Sequence, residues 1–177
     1  MVVSGEVEVL YEPGQDDAWR DLYRDIVLRY FDAFGPASVA DVTTWSRFTG
    51  CREVVERLRP KLRVYLDPNG RELYDLADRE LVDADMPAPP RVLPEYDNVL
   101  LAFADRTRVL PETYRRKVIG SNGDVAQTFL VDGSVAGMWR VEGGRVLVEP
   151  FAPLTGSARR DVEEEAERLE AFLTECA

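Results

Sequence analysis

Three prolines within four positions, Pro87, Pro89 and Pro90, divide this chain into stretches with different hydrophobic periods. Each removes a backbone donor and biases the preceding residue toward extended structure, so the chain is not helical there. Apolar residues before this point recur mostly at helical spacing, and those after it mostly alternate. A change of period across a stiff linker points to an α+β chain. Beyond the linker, Val92–Ala104 reads as a run with few breakers, long enough to cross a core. It ends in Asp105-Arg106-Thr107-Arg108. A charged cluster at the exit of a buried run is either a fixed ion-pair network or part of a working polar surface.

The first stretch opens with Glu6–Tyr11, which alternates like a short strand, and Pro13-Gly14, a turn signal. Asp16 or Asp17 can cap the helix that follows. In it Trp19, Leu22, Tyr23, Ile26, Val27 and Tyr30 recur at three and four positions, until Gly35-Pro36 ends it. Ser38 caps a second helix, with Val39, Val42 and Trp45 on one face and Asp41 in the first turn. A third helix is expected over Cys51–Arg59, with Val54, Val55 and Leu58 inward, and Pro60 stops it. Leu62–Leu76 then alternates on both sides of Asp67-Pro68-Asn69-Gly70, a hairpin turn. Helices followed by a β-hairpin are in the order of a winged helix, whose hairpin is the wing.

After the linker, Asn122-Gly123, Asp132-Gly133 and Gly143-Gly144 mark turns at even spacing. They separate the short strands Val125–Val131, Val135–Val141 and Arg145–Phe151. This is a meander, closing as a small barrel or packing as a sheet, with Trp139 in its core. Ser157 is expected to cap a last helix running to about Leu173. The expected fold class is α+β: a winged helix (three helices plus a β-hairpin wing), then a small antiparallel β-barrel or meander, then a C-terminal helix. The expected domains are 1–15, an N-terminal strand and turn; 16–86, the winged helix; and 87–177, the antiparallel β domain with its terminal helix.

The 177 residues contain no histidine, which removes Ser-His-Asp and Cys-His catalysis and imidazole as a general base. The cysteines, Cys51 and Cys176, stand far apart, so no structural zinc site is expected, and no cofactor is implied. The N-terminus lacks the layout of a signal peptide and no apolar run is long enough to span a bilayer, so a cytoplasmic protein without membrane partners is expected. The net charge of −11 repels nucleic acid on average. It is uneven, however. Between Arg106 and Lys117 lie Arg106, Arg108, Arg115, Arg116 and Lys117 against the single acid Glu112. That segment is either a phosphate-facing surface or a solvated loop with compensating charges.

The segments FGPASVADVTTWSRFTGCREVVERL, PRVLPEYDNVLLAFADRTRVL and VDGSVAGMWR, the last followed by VEPF, occur in this order. Together they resemble the winged-helix DNA-binding superfamily that includes the bacterial DNA glycosylases of the AlkZ/YcaQ type. Those enzymes remove bulky alkylated bases and unhook interstrand crosslinks. Relatives are commonly longer, with tandem winged helices plus a β-barrel, and this chain resembles their C-terminal half. The resemblance implies catalysis on a Gln-apolar-Gln or Gln-apolar-Asp motif in the N-terminal half. Gln15-Asp16-Asp17 matches by letter only, because its middle residue is charged, and a helix cap is the alternative. Gln127, followed by Thr128 and Phe129, does not match. No catalytic residue is therefore assigned. Phe103 stands where relatives often carry a polar-tipped His or Tyr, which removes a hydrogen bond near the DRTR cluster.

The third helix would be the recognition helix, exposing Arg52, Glu53, Glu56, Arg57 and Arg59. Its glutamates would oppose phosphates, and Arg52–Glu56 reads as a solvated i,i+4 pair, so a packing module is expected rather than a base reader. Glu95, Asp97 and Asp105 have no spacing specific to acid–base work. Asp97 or Asp105 held by Arg106 or Arg108 in a buried network is the favoured reading. The DNA-binding set is Arg106, Arg108, Arg115, Arg116 and Lys117, meeting duplex DNA weakly and without sequence preference. The functions in view are a DNA-associated protein, noncatalytic alone; a noncatalytic protein-interaction or structural domain completing a partner; and a glycosylase active when joined to a missing N-terminal half.

Overall fold

The computed structural model describes residues 17–83 and 85–175, and side chains from Asp21 onward. The expected strand Glu6–Tyr11, the Gln15-Asp16 part of the glutamine match, the Trp19 side chain and Cys176 lie outside the described residues. The chain divides into two compact units, the first ending at Arg79 and the second beginning at Glu80.

The first unit runs through three helices, α1 (Asp17–Phe34), α2 (Val39–Ser46) and α3 (Cys51–Leu58), into a hairpin of β1 (Leu62–Leu66) and β2 (Glu72–Leu76). Periodic positions of α1 close the core: Val27, Tyr30 and Phe31 are buried with Val42, Val55, Leu58 and Tyr74. Ser38 caps α2 in a reciprocal box. Its side chain accepts from the Asp41 amide, while the Asp41 carboxylate accepts from the Ser38 amide and hydroxyl, each at 2.7 Å. Trp45 is only half-buried, its ring tilted against Tyr30 and Phe34 at 5.3 and 6.3 Å. The hairpin turn is organised by Asp67, whose Oδ1 accepts the amides of Asn69 and Arg71 at 2.8 and 2.9 Å. Gly70 takes φ 77°, where a glycine avoids the cost of a β-carbon. The strands pair from Leu62↔Leu76 to Leu66↔Glu72, so the alternating pattern does mark a hairpin.

The second unit holds β3 (Arg91–Leu93), the short helices α4 (Asn98–Leu101) and α5 (Glu112–Val118), then β4 (Thr128–Val131), β5 (Ser134–Glu142), β6 (Arg145–Pro150) and the long α6 (Gly156–Glu175). The sheet is antiparallel in the order β3-β4-β5-β6. It is an open meander rather than a closed barrel, and α6 packs against both edge strands, β3 and β6. Thr128, Phe129 and Leu130 on β4 are all buried, as befits a strand covered on both faces.

Two expectations need correction here, one is narrowed, and one element is new. Of the one or two elements open to Val92–Leu110, the stretch to Ala104 takes two, the end of β3 and α4: Pro94 supplies no ladder donor, Tyr96 turns the chain at φ 56°, and Asp97 caps α4 by accepting the Val99 amide at 2.8 Å. The terminal helix is capped by Thr155, not Ser157; the Thr155 hydroxyl accepts the Ala158 amide at 3.3 Å and Ser157 is already helical. Trp139 is half-buried rather than central, and its indole Nε1 donates to the Leu93 carbonyl at 2.9 Å, fastening β5 to the end of β3. Helix α5 is an element the periodicity did not mark. Its signals are of another kind: Pro111 at the start, Glu112 in the first turn, and Arg115, Arg116 and Lys117 in the last.

Candidate nucleic-acid interface

The basic segment is held at one end by β5 and at the other by the stretch leading into β4. Asp105 accepts from the amide and hydroxyl of Thr107 at 3.0 and 2.7 Å, turning the chain. The amides of Val109 and Leu110 both reach back to the Arg106 carbonyl, at 2.9 and 2.7 Å. The Val109 carbonyl then accepts the Val135 amide of β5 at 2.8 Å. At the far end the Val118 carbonyl accepts the Ala126 amide at 2.9 Å, and Ile119 bridges to Val125. Between these anchors Leu110 and Val118 are buried, so α5 is fixed by its inner face. Arg115, Arg116 and Lys117 stand exposed on its last turn, where positive charge also suits the helix dipole.

The cations in this segment have unequal surroundings. Arg115 lies 3.9 Å from Glu112, and both side chains are more than half exposed, so that pair contributes little. Arg116 has no ion-pair partner among the described residues. Lys117 faces aromatic rings instead of acids: its Nζ is 5.0 Å from the Phe151 centroid and 5.9 Å from that of Tyr114. Those rings lie against each other with centroids 4.6 Å apart. The Arg108 guanidinium sits 4.0 Å from the centre of the buried Phe103 ring. Arg106 is half-buried. Asp105 is exposed and serves its own turn, and Asp97 is half-exposed and caps α4. Sequence reasoning placed Phe103 near the DRTR cluster but missed Tyr114 and Phe151 as neighbours of Lys117. Tyr114 stands three residues before Lys117, a helical neighbour once α5 is recognised.

The outward face of α3 is arranged differently. Arg59 donates to Glu72 at 2.7 Å, to Glu56 at 3.3 Å and to the Tyr74 hydroxyl at 3.2 Å. The Tyr74 hydroxyl in turn donates to Glu72 at 2.6 Å. These two donors hold the Glu72 carboxyl below its ordinary range, Arg59 first and Tyr74 second. Burial and the neighbouring Glu72 push the Tyr74 phenol above its ordinary value. Glu56 thus pairs with Arg59 at i,i+3, not with Arg52 at i,i+4 as expected from sequence, because the Arg59 side chain is drawn over to the hairpin by Glu72. On the hairpin itself Arg71 is paired to Asp67 at 3.1 Å. Arg59 and Arg71 are thereby neutralised at this face.

Among the described residues no group of His, Cys, Asp and Glu is placed to hold a metal ion, and no helix is long and apolar enough to cross a membrane. Asp124 accepts the Tyr96 hydroxyl at 2.7 Å.

The model of a family described as DNA glycosylase AlkZ-like matches residues 3–172. The solved structure of Streptomyces sahachiroi DNA glycosylase AlkZ matches with a TM-score of 0.70 at 23% identity, covering 86% of this chain. At that identity the likeness speaks for the fold alone. The match spans 43% of that chain, less than half its length. No curated protein matches the sequence.

Proposed function

The chain belongs to the AlkZ-like DNA glycosylase family, and from that premise we propose a DNA-associated domain, noncatalytic by itself, that meets duplex DNA through its phosphate backbone. In this reading residues 16–86 form a winged helix whose hairpin is the wing. Residues 87–177 form the antiparallel domain that carries the interface. The contacting side chains are Arg106, Arg108, Arg115, Arg116 and Lys117. The observation that carries the proposal is the last turn of α5, which presents Arg115, Arg116 and Lys117 to solvent on a backbone bonded before it to β5 and after it to the stretch leading into β4. Each such cation neutralises a phosphate and releases a counterion, which draws DNA without reading bases. The α3 face, with its glutamates and its neutralised Arg59, serves packing in this scheme. The whole-protein chemistry of a glycosylase enters when the domain is joined to an N-terminal half carrying the glutamine motif. The cytoplasm is the compartment that such a DNA-bound role implies.

The test is a fluorescence-anisotropy titration of labelled duplexes at several salt concentrations. Binding should be weak and equal for unrelated sequences. Arg115→Ala with Arg116→Ala should weaken it uniformly and flatten the log–log salt slope by up to roughly two units. The isolated chain should release no base from alkylated or crosslinked duplex. Absence of duplex binding at low salt by folded protein would sink the DNA role. Base release abolished by Gln15→Ala would overturn the noncatalytic assignment.

A second reading, a protein-interaction domain completing a partner, is favoured by one different observation. Leu81, Val82 and Met86 are 53%, 73% and 57% exposed beside the exposed carboxylates of Glu80, Asp83 and Asp85. An apolar, acidic segment of this kind suits a partner with a basic apolar surface. If duplex binding fails, that surface is where a partner should be sought.

A further inference from the structure

We infer that Tyr114 and Phe151 are positioning residues for the proposed DNA interface, holding the Lys117 ammonium where it meets a phosphate of duplex DNA. The inference rests on the DNA reading above and adds to it residues that lie outside the basic segment or were silent within it.

Phe151 immediately follows β6, far from α5 in sequence, yet its ring centroid lies 4.6 Å from that of Tyr114. Both rings are half-buried, so each is fixed on one side by the domain and open on the other. Lys117 is exposed and lies within cation–π range of both, at 5.0 and 5.9 Å. A lysine side chain is long and loses much rotamer freedom when it binds. A ring face removes part of that freedom in advance. Unlike a carboxylate partner, it leaves the full positive charge in place. That distinction matters in a protein of net charge −11, where Arg59 and Arg71 of the first unit are neutralised by acids. Beside Lys117, Arg116 and Arg115 extend the charge along the outer face of α5.

The arrangement also bears on the kind of nucleic acid. Aromatic side chains that bind single strands offer open ring faces to unpaired bases. Here the ammonium stands over both rings, so the surface is built for phosphate and not for base stacking. Duplex DNA is the matching ligand.

The experiment compares Phe151→Leu, Phe151→Tyr, Lys117→Ala and Arg115→Ala/Arg116→Ala in the full chain. Binding to a duplex and to a single strand of equal length is measured against salt, with melting curves to show folding. Phe151→Leu should weaken duplex binding about two- to fivefold while the Lys117 charge remains, and Phe151→Tyr should restore it. Lys117→Ala should weaken binding and flatten the salt slope by about 0.9. Wild type should not prefer the single strand. If Lys117→Ala, or a folded Phe151→Leu, binds duplex like wild type while the double arginine variant is weakened, this inference fails and the DNA reading stands. Tighter single-strand binding that survives Lys117→Ala would likewise overturn it in favour of stacking. If wild type binds neither nucleic acid, the DNA reading itself falls and takes the inference with it. Should Phe151→Leu fail to fold, Lys117→Ala decides alone.

Discussion

The Phe129 ring on β4 occupies the space that a β-carbon on Gly137 of β5 would fill. The two residues are cross-strand partners, and both are buried. The Glu149 carbonyl of β6 closes on the same position from the other side.

Gly137→Ala should therefore be strongly destabilising for so small a change. Neither the ring nor the neighbouring strand's backbone can give way easily in a close-packed sheet. A loss of about 1–3 kcal/mol is expected, the range for overpacking. A chemical denaturation curve at unchanged midpoint would show that the strands separate to accommodate the methyl group.

Ser38→Ala removes one half of the reciprocal cap on α2. The buried Asp41 carboxylate loses the Ser38 hydroxyl, which it holds at 2.7 Å, and the Asp41 amide loses one of two acceptors, keeping the Ser38 carbonyl at 3.1 Å. The expected cost is about 1 kcal/mol, the usual value for a lost N-cap. Ser38→Asp, which can also accept from the Asp41 amide, should recover little. It sets a second carboxylate beside Asp41. Equal melting temperatures for wild type and Ser38→Ala would disprove the cap's contribution.

Thr128 sits fully buried on β4, and its Oγ1 has no hydrogen-bond partner among the described residues. Thr128→Val keeps the shape and removes the unsatisfied hydroxyl. It should stabilise by about 1 kcal/mol. A lower melting temperature in the variant would mean that the hydroxyl is satisfied by a buried water.

Glu72 has a folded-state pKa below its ordinary value because Arg59 and then Tyr74 donate to it. A depressed carboxylate stabilises the fold above its unfolded-state pKa, near 4.5, and that contribution is lost as pH falls through the folded value. Asp67 acts in the same direction, chiefly through the Arg71 amide and then that of Asn69. Glu72→Gln should thus flatten the acid limb of the stability–pH curve below about 4.5. An unchanged acid limb would show that Glu72 pairs no better in the folded chain than in the unfolded one.

Much of the architecture was legible in the sequence because it rests on local signals. The periodic apolar face of α1, the Ser38 cap and the Asp67–Gly70 turn each bias only a few neighbouring dihedrals, and the elements stand where those signals put them. The turn pairs Asp132-Gly133 and Gly143-Gly144 likewise mark the β4-β5-β6 meander. The basic segment was visible as composition. What composition could not show was the partner of each charge, because a long side chain chooses among neighbours that the fold brings in from elsewhere. Arg59 turns from its own helix toward Glu72, thirteen residues on, and Lys117 rests on Phe151. The break of Val92–Ala104 into a strand and a helical turn was decided by Tyr96 and the Asp97 cap. Whether the meander closed was likewise a tertiary matter. Strand number and turn chemistry permit either a barrel or an open sheet, and α6 packing on both edge strands favours the open form. Local sequence sets which elements exist, since short-range sterics and hydrogen bonds act within a few residues. Closure, burial and the company of each charge come from long-range packing, which only the folded chain determines.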